Sequence, residues 1–346
     1  MPRIGYITHD ISKLGHPMPY LINGVFEEHG LEVKVYNVDP PTNLSSGIED
    51  LKGYCCGSNS DLIFKKIKND KIDILIDLSS LTSSKISNVC SKKPAPIIIS
   101  YLGYPGPVNN EWTDYQIVDK HIVPPKTPGY DDTKLIRLEC GYYVNSMRSK
   151  NISRSSSVPD KFVFCNMGRS DKITPEIFMC WLRILRRCPN SELWLLKTCS
   201  NLVDNLKSLA EREGVNSDRI CFKCMVDTLD HVERLKLTSC FLDTDVYNSH
   251  TITVDALYVC VPVITIKGKK WCGRVSSSIL ESLNCGGLVC ENIKDYEKFA
   301  VKMYEDEEVL RMWKKKIGEK WVGEKEWVEE VEGKLRGIWS GYIKKC

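Results

Sequence analysis

The chain has 346 residues, 42% hydrophobic and 27% charged, a globular composition long enough for two ordinary domains. Its longest apolar runs, at residues 97–102 and 259–266, fall far short of the roughly 20 residues needed to cross a bilayer. A formal net charge of +3, with Lys and Arg spread along the chain, disfavours a nucleic-acid partner. No basic and apolar leader opens the sequence, so a cytoplasmic protein with no membrane partner is expected.

Sixteen cysteines would suggest disulfides in a small secreted domain, but most sit singly in apolar stretches (Cys165, Cys180, Cys240, Cys260), where a thiol behaves as a small hydrophobe. Cys221 and Cys224 form one Cys-x-x-Cys with no second pair at zinc-finger spacing, and Phe222 and Lys223 between them read as strand interior. No metal is expected there. Lys314, Lys315 and Lys316 follow Trp313 on a predicted helix and read as a solvated face.

In chain order, β-rich runs at residues 3–8, 32–38, 72–78 and 96–102 alternate with helical patterns at 20–28 and 62–69. Such alternation implies a parallel sheet covered on both faces. Residues 150–161, Ser-rich with a proline, carry neither period and read as a linker. Beyond it the alternation restarts, with strands at 162–166, 192–197, 219–223, 240–243 and 261–266 and helices at 175–186 and 202–213. The expected class is α/β in the GT-B arrangement, two Rossmann-like domains facing a cleft: residues 1–150, residues 151–326, and a helix at 327–346 free to return to the first. The G-x-G-x-x-G of dinucleotide binding is absent after the first strand, where Gly5 and Gly15 stand ten residues apart. A dehydrogenase is disfavoured.

Open α/β sheets bind ligands beyond the carboxyl ends of their strands, so the loops there carry the candidate chemistry. Asn248 to Asp255 follows an apolar strand and leads into a helix, and a helix start with Ser249 and Thr251 offers capped or free amides that attract phosphate. Asp255 lies one turn after Thr251 and can accept from ribose hydroxyls. Lys172, after the strand at 162–166, is placed to meet a diphosphate and to stabilise the charge of a leaving group. His231 and Arg234, three apart on a predicted helix, offer a ring for a base and a cation for phosphate. His16 lies in the loop after the first strand, where an imidazole titrating near neutrality suits acceptor deprotonation. Taken singly, each of these also fits an ordinary surface or capping residue.

Their order along the chain fits one family. The sequence resembles the catalytic core of glycosyltransferase family 41, the O-GlcNAc transferase family, over nearly its whole length. The resemblance runs through Arg3-Ile4-Gly5-Tyr6-Ile7 with His16-Pro17, Pro94-Ala95-Pro96-Ile97 to Leu102-Gly103-Tyr104-Pro105-Gly106, and Lys172-Ile173-Thr174-Pro175. It continues through Leu242-Asp243-Thr244, His250-Thr251 to Asp255, Val261-Pro262-Val263 and Gly273-Arg274-Val275. It implies an inverting, metal-independent, cofactor-free transfer from a UDP-sugar to a protein. Lys172 would contact the diphosphate, His231 would stack on uracil beside Arg234, and His250, Thr251 and Asp255 would hold phosphate and ribose. Gly103, Tyr104 and Pro105 would form a loop on the acceptor and sugar side, with His16 as the cleft histidine.

Two departures stand out. The tetratricopeptide repeats that usually precede this core are not in the sequence, so acceptor choice is expected to come from the core or a partner. Where O-GlcNAc transferases place a small Cys beside the N-acetyl group, the resemblance puts Tyr247, whose ring would fill the acetamide's volume. Family members that transfer glucose or fucose are aromatic there, and the fucosyltransferases lack the histidine that is here His250. UDP-glucose is therefore the first expected donor and UDP-GlcNAc the alternative. Two other readings remain: Asp243-Thr244-Asp245 as the Asp-x-Asp manganese site of single-domain GT-A enzymes, and a catalytically silent sugar-nucleotide-binding scaffold.

Overall fold

The computed structural model describes residues 1–11, 16–39, 54–57, 59–144, 146, 161–321 and 323–345. All of the expected linker except Lys161 lies outside them. Two compact units form, one from Met1–Lys150 with Val322–Cys346, the other from Asn151–Trp321.

The first unit contains β1 (Ile4–Thr8), α1 (Met18–Glu28), β2 (Val33–Asn37), β3 (Tyr54–Cys56), α2 (Ser60–Asn69), β4 (Ile74–Asp77), α3 (Ser84–Ser91), β5 (Ile97–Ser100), β6 (Tyr115–Asp119) and β7 (Leu135–Leu138). Its strands make one parallel sheet in the order β3-β2-β1-β4-β5-β6-β7. Ile-Leu-Ile-Asp in β4 and Ile-Ile-Ile-Ser in β5 are buried at every position and pair from Ile74↔Ile97, as expected for β-branched runs covered on both faces. One face packs Ile7, Tyr36, Leu75 and Ile98 against Ile63 and Ile67 of α2 and Ile86 and Val89 of α3.

The second unit contains β8 (Phe162–Asn166), α4 (Pro175–Arg187), β9 (Ser191–Leu196), α5 (Ser200–Arg212), β10 (Ile220–Lys223), α6 (Thr228–Leu235), β11 (Cys240–Leu242), α7 (Thr251–Tyr258), β12 (Val263–Ile266), α8 (Val275–Ser282), β13 (Val289–Cys290), α9 (Ile293–Glu305) and α10 (Glu307–Glu319). The parallel order is β10-β9-β8-β11-β12-β13. In α4, Thr174 caps Ile177 N–H at 3.2 Å and Pro175 takes the first helical position, where its missing N–H costs nothing. Buried Trp181 on that helix donates to the Tyr296 hydroxyl, which donates to the Asp243 carbonyl at 2.9 Å. The helix layer is thereby tied to the end of β11.

The last helix, α11 (Glu324–Ile343), belongs to the first unit. Trp327 is fully buried with its ring 4.9 Å from that of Tyr101. Glu332 accepts from His29 Nδ1 at 2.9 Å, Leu31 N at 3.0 Å and Arg336 Nη2 at 2.8 Å. Tyr6 OH lies 2.8 Å from His29 Nε2. Since Nδ1 carries the proton given to Glu332, Nε2 is the acceptor and Tyr6 the donor.

Strands β6 and β7 were not legible as such because polar residues interrupt them. Gln116 in β6 spends its side chain on Val108 N and Gly106 O, and Asp119 accepts from His121, Ile122 and Tyr142 N–H. These are loop anchors set inside a strand. Cys165, Cys180 and Cys240 are buried and Cys260 partly so, all as free thiols. The lysine run is not uniformly solvated: Lys315 is exposed, but Lys314 and Lys316 are half-buried, with Lys316 5.0 Å from the Trp313 ring centre. Among the described residues no helix is long and apolar enough to cross a membrane.

Candidate active site

In the second unit the site is built at the carboxyl ends of β8 and β11, neighbours on either side of the point where the strand order reverses. Lys172 ends a short 3-10 turn, Ser170–Lys172, after β8. Its Nζ donates to the Asn248 carbonyl at 2.8 Å and stands 4.3 Å from the Tyr247 ring centre. Burial lowers its pKa, against the pull of Asp243. Tyr247 in turn stacks on His250, ring centres 4.8 Å apart at 21°.

The loop carrying these groups is held by its own polar side chains. Asn248, fully buried, donates from Nδ2 to the Thr244 carbonyl and accepts Ser276 N–H, and its own N–H goes to the Cys272 carbonyl. Asp243, also fully buried, accepts Ser249 N–H at 2.9 Å on Oδ1 and the Thr265 hydroxyl at 2.8 Å on Oδ2. Both carboxylate oxygens of Asp243 are thus taken by scaffold, which makes it the anchor of this loop and a poor half of an Asp-x-Asp cation site.

The helix start differs from the expected cap. Thr251 is the first helical residue of α7, and His250 occupies the N-cap with φ 44° and no side-chain cap. No side chain caps the first turn, where Ile252 N–H donates to the Ser249 carbonyl at 3.1 Å. A non-glycine residue at positive φ is strained. His250 is held there by the Tyr247 stack and by Nε2 donating to the Cys272 carbonyl at 2.9 Å. Burial, and then the charge of Lys172, push its pKa down to about 3. It enters the site as a neutral ring whose Nδ1 is an acceptor.

His231 and Arg234 lie on α6. Arg234 Nη2 is 3.3 Å from His231 Nδ1. A guanidinium only donates, so Nδ1 accepts and the imidazole proton sits on Nε2, which faces Asp255 Oδ2 at 3.7 Å, beyond hydrogen-bond reach. Burial, then Arg234, depress the His231 pKa to about 4. Asp255 itself is buried in α7. Ser249, expected only as part of the helix start, is 4% exposed and its hydroxyl has no hydrogen-bond partner. His231 Nε2 and Arg234 Nε are likewise buried without one. Gly168, after β8, leaves room for this hydroxyl: a Cβ there would lie 2.9 Å from Asn166 Oδ1 and 3.4 Å from Ser249 Oγ.

In the first unit, loops at the carboxyl ends of β1, β4 and β5 come together. His9 Nδ1 is 2.8 Å from Ser79 Oγ, His9 Nε2 3.3 Å from Asp10 Oδ1, and His16 Nε2 3.8 Å from the same oxygen. Met18 N–H donates to His16 Nδ1 at 3.3 Å. That bond occupies the His16 lone pair on one side and turns the ring proton toward Asp10 on the other. Gly103 is pressed against the β4 loop, where a Cβ would fall 2.2 Å from the Leu78 carbonyl oxygen. Leu102 at φ 70° and the Gly106 N–H to Tyr104 carbonyl bond shape the rest of the turn through Tyr104 and Pro105.

Known proteins agree with this architecture. A mutant of the Thermobaculum terrenum O-GlcNAc transferase superposes with TM-score 0.88 at 24% identity, over 99% of this chain and 68% of that one. The lipopolysaccharide outer core galactosyltransferase WaaB does so at 0.64 and 13% identity, over 97% and 99%. The fold is GT-B. In sequence the chain is 32% identical to the probable UDP-N-acetylglucosamine–peptide N-acetylglucosaminyltransferase SEC of Arabidopsis thaliana, over 87% of this chain and 33% of that protein. It is 26% identical to the similarly named SPINDLY of the same plant, over 99% and 40%. The chain thus spans a third to two fifths of the length of these relatives. The family model for glycosyl transferase family 41 matches residues 2–152 and 151–325, and the chain belongs to that family.

Proposed function

We propose that this chain transfers a sugar from a UDP-sugar to a protein side chain, with inversion at the anomeric carbon and without a metal ion. The observation that carries the reading is a surplus of donors in one region. His231 Nε2–H, Arg234 Nε–H and the Ser249 hydroxyl are buried without acceptors, beside an ammonium on Lys172 bonded to a single carbonyl. Each buried donor left unpaired costs about 1–3 kcal/mol, and an acceptor-rich diphosphate with its nucleoside satisfies them together.

In this reading Lys172, Ser249 and the first amides of α7, Thr251 among them, hold the diphosphate. His231 and Arg234 meet the base, and Asp255 accepts from the ribose. The acceptor oxygen or nitrogen attacks the anomeric carbon, its bond to the phosphate oxygen breaks, the proton goes to a base on the acceptor side, and UDP departs with its new charge facing Lys172. His16 serves as that base only if its Met18 bond opens and frees the Nδ1 lone pair, the Nε2 proton staying toward Asp10. The loop at Gly103, Tyr104 and Pro105 would lie on the acceptor side. Metal independence is supported by Asp243, whose two oxygens are engaged.

N-acetylglucosamine is the sugar in the names of the relatives at 32% and 26% identity, and UDP-GlcNAc is taken as the first donor. Glucose stands as the second reading on one observation, the Tyr247 ring set between Lys172 and His250. Calorimetric titration of UDP into the chain in EDTA tests the binding step. Saturable binding that Lys172→Ala weakens is expected; binding seen only after Mn²⁺ is restored would return Asp243-Thr244-Asp245 to consideration.

A further inference from the structure

The second unit holds a pocket of about 780 Å³ far from the site just described. Phe162 opens β8, Ser191 opens β9, Arg219 precedes β10 and Ser239 precedes β11, and all four line it. The pocket therefore sits at the amino-terminal end of the sheet, whereas Lys172 and Tyr247 follow the carboxyl ends of β8 and β11.

Its charges do not cancel. Arg311 is paired with Glu307 at 2.7 Å and Glu192 with Lys161 at 2.9 Å. Arg219 and Lys314 have no carboxylate partner among the described residues, and Asp218 is the one lining carboxylate left to oppose them. Arg219 is fixed by donating to the carbonyls of Leu185, Cys188 and Ser191, which neutralise nothing. Lys314, half-buried on α10, has neither a hydrogen bond nor an ion pair among the described residues. Burial lowers the pKa of both cations, the direction expected of charges held without counter-ions.

The remaining polar lining adds donors. The Tyr304 hydroxyl accepts Asn190 N–H and the Ser239 hydroxyl accepts Val163 N–H, so both hydroxyl protons are free to donate. Phe162 and Tyr304 meet edge to face, centres 5.4 Å apart at 76°, and form an aromatic wall. The volume is too large for a bare inorganic ion.

We propose that this pocket is a binding site for a small organic anion with a flat apolar ring, its ring against Phe162 and Tyr304 and its charged group at Lys314 and Arg219. The proposal does not depend on the transfer reading. The test is methyl NMR of the full chain, following Leu310 at the pocket while phenyl phosphate or inorganic phosphate is added. Leu310 shifts are expected to saturate with phenyl phosphate and to need about tenfold more inorganic phosphate, the ring contributing roughly one power of ten. Lys314→Glu should weaken phenyl phosphate by about tenfold or more, with Lys314→Met as a second variant of neutral charge, while Lys172→Ala leaves it unchanged. No Leu310 response, equal affinity in the Lys314 variants, or equal affinity for the two probes would overturn it.

Discussion

The ammonium of Lys172 stands 4.3 Å above the ring of Tyr247, and that ring is stacked on His250 at 4.8 Å. A cation, a phenol and a neutral imidazole thus form one layered group at the carboxyl end of β11. Cation–π contact and the bond to the Asn248 carbonyl hold the Lys172 ammonium in place before any ligand arrives, which in the proposed transfer sets a stabiliser of the leaving group in advance.

Removing that charge should act on chemistry more than on fold. Lys172→Ala is expected to lower kcat by about a hundredfold or more, with circular dichroism and thermal midpoint near wild type. Steady-state kinetics at saturating donor measure it.

Tyr247 is the test of donor size. Tyr247→Cys should raise kcat/KM for UDP-GlcNAc relative to UDP-glucose by about one to two powers of ten if the ring crowds the acetamide. Should the wild type already favour UDP-GlcNAc and the ratio stay unchanged, the glucose reading fails and Tyr247 is a support for Lys172.

Ser249 separates a ligand contact from a structural one. Its hydroxyl has no protein partner, so Ser249→Ala removes no bond from the free protein. Stability should be unchanged or slightly higher, and the UDP dissociation constant should rise about three- to tenfold by calorimetry. A loss of stability with unchanged UDP affinity would make it a packing residue.

Acid should loosen the second unit. His231 is held at a pKa of about 4, below its ordinary value near 6.5. The unfolded chain takes up this proton first, so the stability from the neutral ring is full above about pH 6.5 and is lost as pH falls toward 4. For this group, 15% exposed at the side chain, the loss is on the order of 2–3 kcal/mol. Proton NMR of the imidazole at pH 5 should still show a neutral His231, and denaturant midpoints should fall between pH 7.5 and 5.

Glu332 anchors α11. Burial pushes its pKa up, but bonds from Arg336, His29 and Leu31 outweigh it and hold the carboxyl below its ordinary value. Glu332→Ala leaves the His29 and Leu31 donors unpaired and should cost about 3 kcal/mol or more. Glu332→Gln, which keeps an acceptor oxygen, should cost less. Hydrogen exchange in α11 reads both.

Much of this was legible in the sequence where one physical rule dominated. The apolar β-branched runs of β1, β4, β5 and β12 marked a parallel sheet, and Thr174-Pro175 marked the start of α4. Rules that compete were less legible. Strand β6 hides behind Gln116 and Asp119, whose side chains bind loops. At the candidate site the types and spacing of Lys172, His231, Arg234, His250 and Asp255 stood out, but tautomers and bonds did not. Nothing in Asn248-Ser249-His250 says that Asn248 carries the loop, that His250 takes the cap position at positive φ, or that Ser249 is left with an orphan hydroxyl. Those depend on Cys272, Thr265 and Ser276, whose bonds to this loop span 22 to 28 positions of the chain. The lysine run misled because Lys314 is half-buried and lines the pocket at the amino-terminal end of the sheet.

The most direct test of sugar transfer is mass spectrometry of proteins incubated in EDTA with the chain and either UDP-GlcNAc or UDP-glucose, beside the Lys172→Ala variant. A hexose or N-acetylhexosamine increment on protein side chains with the wild type, and its near absence with the variant, is the expected result. UDP binding with no increment from either donor, across a broad set of acceptor proteins, would contradict the account and mark the chain as a silent sugar-nucleotide binder.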